Sequence, residues 1–357
     1  KGEKRVRFEV VESHTEKGLG FDPAGFSKGG NATCPFCGTV ADSDYVKAEG
    51  CAKRMGEQMM AIVCTRPGRQ GKIYLSADDY PKYLPDDNAI QKRIEALCQH
   101  TGLTVPSEPM DTNDPTTVAG RGFGIKTFAE LFTPRQMLCL LTFAAAVREA
   151  YQTMVGQAAG LPSTGEPPVP PISQERAKAV GTYLGVLLNR QADYNNMCCI
   201  WESGGQFIKS GFSRQALPMV WDFVELAPFG DASGSPQGAL DWIVGVAESQ
   251  ADSGQPGTVL RGSATALPCP DASFDAVITD PPYYDNIQYA ALSDFFYVWL
   301  KRTIGHLYPE HFSAEVSPKK NEAVASPWRH KSKAEAKLAY EQMMSQAFAE
   351  ANRVLKL

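Results

Sequence analysis

The chain has no run of about 18 apolar residues, so nothing in it reads as a membrane-spanning helix. Its first residues, Lys1 to Arg5, lead into no apolar stretch of a secretion signal, and the sequence therefore predicts a cytoplasmic protein with no membrane partner. Only one pair among the 9 cysteines, Cys34 and Cys37, has ligand spacing; the scatter of the others speaks against a disulfide framework and for reduced thiols. Internal repeats, heptad arrays and low-complexity tracts are missing. Neither sign of charge dominates, with 35 Lys+Arg against 40 Asp+Glu and a net charge of −5, which argues against a nucleic-acid-coating protein and leaves room for a local basic groove.

What is present is core-forming material: 43% hydrophobic residues in 357, enough for about two or three domains, with 31 Gly and 25 Pro in the loops between. Residues 4–12 alternate polar and apolar, and Lys72 to Leu75 is a short β-branched and aromatic run, so 1–78 reads as a small β-rich, ribbon-like module. Residues 79–175 read as a helical and loop connector. It holds a helix from Ala89 to Thr101, a second that Thr133 and Pro134 start and that runs through Tyr151, and a loop at 161–171 with five prolines. Residues 176–357 continue a long helix from Gln174 to Asn195, followed by strands at 217–226, 258–261 and 276–279 and a helix from Gly238 to Ser249. Strand, helix, strand is the order of an α/β sheet.

The chemistry concentrates at Asp275 to Tyr283, where an apolar strand ends in Asp280, Pro281, Pro282 and Tyr283. Open α/β sheets place ligands at the C-terminal ends of their strands. The prolines remove amide donors and stiffen the turn, so the Asp280 carboxylate and a backbone carbonyl at Asp280 or Pro281 project in fixed directions. Two acceptors then converge on one donor, which suits an exocyclic amine, and Tyr283 offers a flat face on which the attached base would stack.

These residues resemble motif IV of the amino-methyltransferases that use S-adenosylmethionine, and Gly257 to Pro268 followed by Pro270 to Asp275 resembles their stretch from motif III to motif IV. Asn31 to Gly38, Leu131 to Gln136, Arg214 to Phe223 and Tyr283 to Leu300 resemble one subgroup more closely, the DUF1156-type adenine-specific DNA methylases with a zinc ribbon. The resemblance implies part of a Rossmann-like class I methyltransferase sheet and adenine-N6 methyl transfer to DNA in restriction-modification or phage defence. It implies S-adenosylmethionine as cofactor and, as partners, DNA and other defence-system subunits. It assigns catalysis to Asp280, Pro281, Pro282 and Tyr283, and cofactor contact to Gly262, Ser263 and Ala264. An RNA-directed amino-methyltransferase and a non-catalytic nucleic-acid-binding subunit with the same fold are the rival readings.

The chain departs from the pattern at motif I. No Phe-x-Gly-x-Gly loop is found, and Gly120 to Gly124 and Gly230 to Gly234 do not join an apolar strand to a helix. In the subgroup that motif and the ribbon's other cysteine pair lie upstream, so the expectation is an internal piece of a longer protein, or a truncated relative, that carries only part of the cofactor pocket. Several residues carry two readings. Thr133 and Pro134 resemble a cofactor-carboxylate motif and also a helix N-cap, the favoured reading. Asp222 and Glu225 would meet ribose hydroxyls or cap a turn. Cys34 and Cys37 form half a tetrahedral zinc site, whereas Cys51 and Cys64, in a stretch (52–62) that reads as helix-like, suit packing better. Lys319, Lys320, Arg329 and Lys331, with Trp328 beside them, would meet phosphates or face solvent. The aromatic run Phe295, Phe296, Tyr297 and Trp299 is expected in the core.

Overall fold

In a computed structural model the described residues are 6–66, 68, 71–111, 114–117, 122–156, 172–213, 215–251, 254–255 and 257–356. The proline-rich 161–171 loop, Arg214, and residues 4, 5, 120 and 121 of the segments discussed above lie outside them. Helix dominates, and the strands form three small antiparallel sheets.

The helices among the described residues are α1 (Ser43–Cys51), α2 (Asp87–Thr101), α3 (Pro134–Met154), α4 (Gln174–Tyr194), α5 (Pro236–Gln250), α6 (Tyr289–Ile304) and α7 (Lys333–Val354). Their starts follow local chemistry: Asp42, Asp86, Thr133, Ser173, Ser235 and Ser332 each accept from a first-turn amide, which satisfies groups the helix itself leaves open. At α3 the cap is reciprocal, since the Thr133 hydroxyl takes the Gln136 amide and the Gln136 side chain takes the Thr133 amide at 3.0 Å.

Helices α2, α3, α4 and α6 enclose the main core, built on Leu140, Leu141, Leu188, Phe295, Val298 and Trp299. Phe132 stacks on Phe295 with centroids 5.7 Å apart and meets the edge of Trp299 at 5.4 Å, and Phe296 packs against this core; Tyr297, expected with them, lies outside it with its hydroxyl on Ala314 O. This core draws on both 79–175 and 176–357, which therefore share one interior rather than packing separately.

The sheets are β1 (Ser27–Lys28), β2 (Asn31–Thr33) and β3 (Val40–Ala41); the hairpin β4 (Ala61–Thr65) with β5 (Lys72–Ser76); and the hairpin β6 (Ile200–Glu202) with β7 (Phe207–Lys209). Several expected elements differ. Residues 6–12 are not a strand; they lie beside the β4–β5 hairpin, where Val10 N donates to Ser76 Oγ at 2.8 Å. The expected helix over 52–62 is absent because α1 ends at Cys51. There Lys53 turns left-handed (φ 56), Arg54 N closes on Glu49 O, and Lys53 Nζ is held by Gly124 O and Glu130. Residues 217–226, 258–261 and 276–279 are irregular or extended without strand pairing. Val259 and Ile278 are 94% and 95% exposed, so the two expected strands, of which 276–279 is the one expected buried, have no covering layer among the described residues.

Among the described residues there is one parallel pairing, an isolated bridge. Phe274 bridges Leu355, with Phe274 N donating to Val354 O and Lys356 N donating to Phe274 O, both at 2.9 Å. The chain passes from 274 through α6 and α7 and returns alongside in the same direction, the connection of a parallel sheet.

Candidate functional site

The loop after 274–279 is anchored from below. Tyr340 Oη, on α7, donates to Pro282 O at 2.8 Å, Tyr284 N closes on the same carbonyl at 2.9 Å, and Asn286 N closes on Tyr283 O at 2.9 Å. Tyr284 sits at φ 48, a conformation unusual for a side-chain-bearing residue, with its ring edge-on to Tyr340 at 5.1 Å. Pinning Pro282 and Tyr284 leaves the upstream half of the turn unspent. Among the described residues the Asp280 carboxylate and the Asp280 and Pro281 carbonyls accept no hydrogen bond, and the Tyr283 ring is 52% exposed. Acceptors and a flat ring are thus presented together at an open surface. The Tyr340 bond to Pro282 is what the motif reading missed, because the two residues lie 58 apart.

The residues expected to touch cofactor form a self-contained turn. Ser263 bridges Ala266, its hydroxyl contacts Thr265 Oγ1 at 2.8 Å, and Gly262 packs on Pro268. Arg353 ties the following segment to α7 through Leu267 O, Cys269 O and the Asp271 carboxylate, and Glu350 takes the Leu267 amide. Asp271, Ser273 and Phe274 are thereby fixed relative to the 280–284 loop by the same helix.

The structure does not bring Thr133 to that surface: it is fully buried and its hydroxyl is spent on the α3 cap, which accounts for Thr133 and Pro134 without a ligand. Glu225 is likewise engaged, taking Arg135 Nε at 2.8 Å and Nη2 at 2.5 Å, while Asp222 stays exposed. The glycine loops are committed to packing. Gly124 (φ 74) lets α1 approach so closely that a Cβ would lie 2.6 Å from Cys51 Cα. Gly230 to Gly234 precedes helix α5 but follows no strand, and Gly234 (φ 83) lies against the Tyr194 ring, where a Cβ would meet it at 2.4 Å.

Cys34 and Cys37 sit on the turn between β2 and β3, closed by Gly38 N to Cys34 O at 2.9 Å. A hydrogen bond with the Thr39 hydroxyl at 3.2 Å, followed by others from the Thr39 backbone and Cys34, holds the Cys37 thiol below its usual range. No group of three or more His, Cys, Asp or Glu side chains able to hold a metal is found among the described residues, so two of four zinc ligands are present and the set does not fit zinc by itself. Cys51 and Cys64 lie elsewhere, on the end of α1 and in β4.

The basic segment divides. Lys319 pairs with the buried Asp294 at 2.5 Å, and Arg329 pairs with Glu322, whose other oxygen accepts Ala290 N at the start of α6. These two cations brace the fold. Lys320, Lys331 and Trp328 are exposed, and Ala325 N donates to Tyr284 O at 3.0 Å, so the segment runs beside the candidate loop. No helix among the described residues is long and apolar enough to cross a membrane. Comparison with family models, curated proteins and solved structures gives no match.

Proposed function

We propose that the chain carries the base-binding half of an S-adenosylmethionine-dependent amino-methyltransferase acting on adenine N6 in DNA. The observation that carries this reading is the unspent acceptor set at Asp280 and Pro281 beside the exposed Tyr283 ring, on a turn whose other carbonyl is pinned by Tyr340. An exocyclic amine would donate its two protons to the Asp280 carboxylate and the Pro281 carbonyl, which orients the nitrogen lone pair and favours positive charge developing on it. Tyr283 would hold the extruded base by stacking, and Lys320 and Lys331 would meet the phosphates beside it. The parallel pairing of 274 with 355 supports reading 274–279 as one strand of a Rossmann-like sheet. When bound, the cofactor supplies an electrophilic methyl group. The described residues contain no open glycine cradle for it, and that favours, as a second reading, a subunit that binds bases without methylating them.

The test is methyl transfer from S-adenosylmethionine to unmethylated DNA, read as N6-methyladenine by mass spectrometry, with binding of single-stranded oligonucleotides carrying adenine or amine-free purine at one position. Preference for adenine, lost in Asp280→Ala, is expected together with methylation. Preference without methylation moves the assignment to the binding subunit, a methylated RNA base moves it to the RNA enzyme, and indifference to the amine overturns all three.

A further inference from the structure

A cavity of about 1180 Å³ lies between the β4–β5 hairpin, the 53–60 segment, the β6–β7 hairpin and residues 219–233. That is ample for a small organic molecule, whose sites commonly span about 300–1,000 Å³. Its walls are adaptable and aromatic: Met59 and Met219 line it, as do Trp201, fixed by donating its indole N–H to Tyr74 Oη at 3.1 Å, and Trp221, fixed edge-on against Phe123 at 5.4 Å.

The charges on its lining do not balance. Lys53 is matched by Glu130 at 2.7 Å and Arg135 by Glu225 at 2.5 Å, which leaves Glu57, Asp222 and Asp231 against a single Lys72. Arg135 is further held by Asp87 at 2.7 Å and also attracts Glu57, yet the carboxylates of the lining still outnumber its cations. Glu57 lines the cavity and is exposed; partial desolvation of its carboxylate, and then the neighbouring Glu225 charge, push its pKa upward against the pull of Arg135. An apolar chamber lined by indole rings and excess carboxylates attracts positive charge carried on a flat apolar body.

We infer that this cavity is a binding site for a small organic cation, an aromatic or otherwise flat apolar molecule bearing a protonated amine that Glu57 and Asp222 receive. The site is separate from the Asp280 loop and does not depend on the methyltransferase reading.

Three fluorescent probes with one body and different charge test it: dansylcadaverine (cationic), dansylamide (neutral) and dansylglycine (anionic). Binding is read as energy transfer from the protein's 5 tryptophans to the dansyl group, and the Trp221 and carboxylate variants locate it. The cationic probe is expected to bind at least about tenfold more tightly than the anionic one. Glu57→Gln with Asp222→Asn should shrink that ratio below about threefold, and because both side chains reach solvent the amides are expected to fold, as circular dichroism would verify. Trp221→Ala should weaken all three probes. No energy transfer, equal binding of the three, preference for the anion, or a charge preference that survives in the double amide would each overturn the assignment.

Discussion

Replacing Arg302 near the end of α6 should be among the most damaging single changes to this fold, although it touches no candidate ligand. Its guanidinium uses every N–H it has. Nε donates to Thr104 O at 2.6 Å, Nη1 to Val298 O and Glu108 Oε1 at 2.8 Å each, and Nη2 to Val105 O at 2.7 Å and Glu108 Oε2 at 2.9 Å. The paired side chains are 8% and 10% exposed. Arg302→Met strands a buried carboxylate and the Thr104 and Val105 carbonyls, and breaking one side of a buried pair costs about 3–5 kcal/mol. Glu108→Leu strands the guanidinium and should cost a similar amount.

The double variant removes both charges and leaves only the two carbonyls short of a donor, at about 1–3 kcal/mol each where water cannot reach them. It should therefore be less damaged than the sum of the singles, with a coupling energy of at least about 2 kcal/mol, against additivity to about 0.5 kcal/mol for independent sites. Urea unfolding of the four proteins, followed by far-ultraviolet circular dichroism, measures the cycle. A single substitution costing under about 1 kcal/mol, or an additive cycle, would refute the claim that this pair stitches the 104–108 segment to the helix that follows the Asp280 loop.

Three further outcomes are expected. Thr133→Ala removes a buried reciprocal cap and should cost about 1 kcal/mol or more in the same unfolding assay, since water cannot replace the lost acceptor. Thr39→Val takes away the hydrogen bond that chiefly depresses the Cys37 pKa; the thiol should titrate higher, and alkylation by iodoacetamide near neutral pH should slow, whereas an unchanged pH–rate profile would contradict the cause given. Ile278→Lys, at a position 95% exposed on an unpaired extended segment, should lower self-association in sedimentation without shifting the unfolding midpoint; a lowered midpoint would mean that Ile278 is covered.

Helices α2 to α5 were legible because their signals are local: Thr133, Pro134 and Gln136 lie within one turn, and so does each serine or aspartate cap with the amide it receives, whereas α1 and α6 were not read as helices. Strands depend on partners that sequence does not name. The apolar runs at 258–261 and 276–279 carry β-branched residues that favour extended backbone, yet pairing needs a second strand, and among the described residues neither run finds one; Phe274, just before the second run, bridges Leu355. The helix expected at 52–62 failed for a similar reason. The decisive contacts of Lys53, with Gly124 and Glu130, lie 71 and 77 residues away, and they overrule a weak local preference. The candidate loop follows the same division: Asp280 to Tyr283 is readable as a motif, but which carbonyls stay free is decided by Tyr340, on a helix whose sequence gives no hint of that bond. The cavity was the least legible feature. Met59, Met219, Trp201 and Trp221 come from three separate segments with no shared periodicity, so only the packing of two hairpins reveals that the indole rings and unpaired carboxylates face one space.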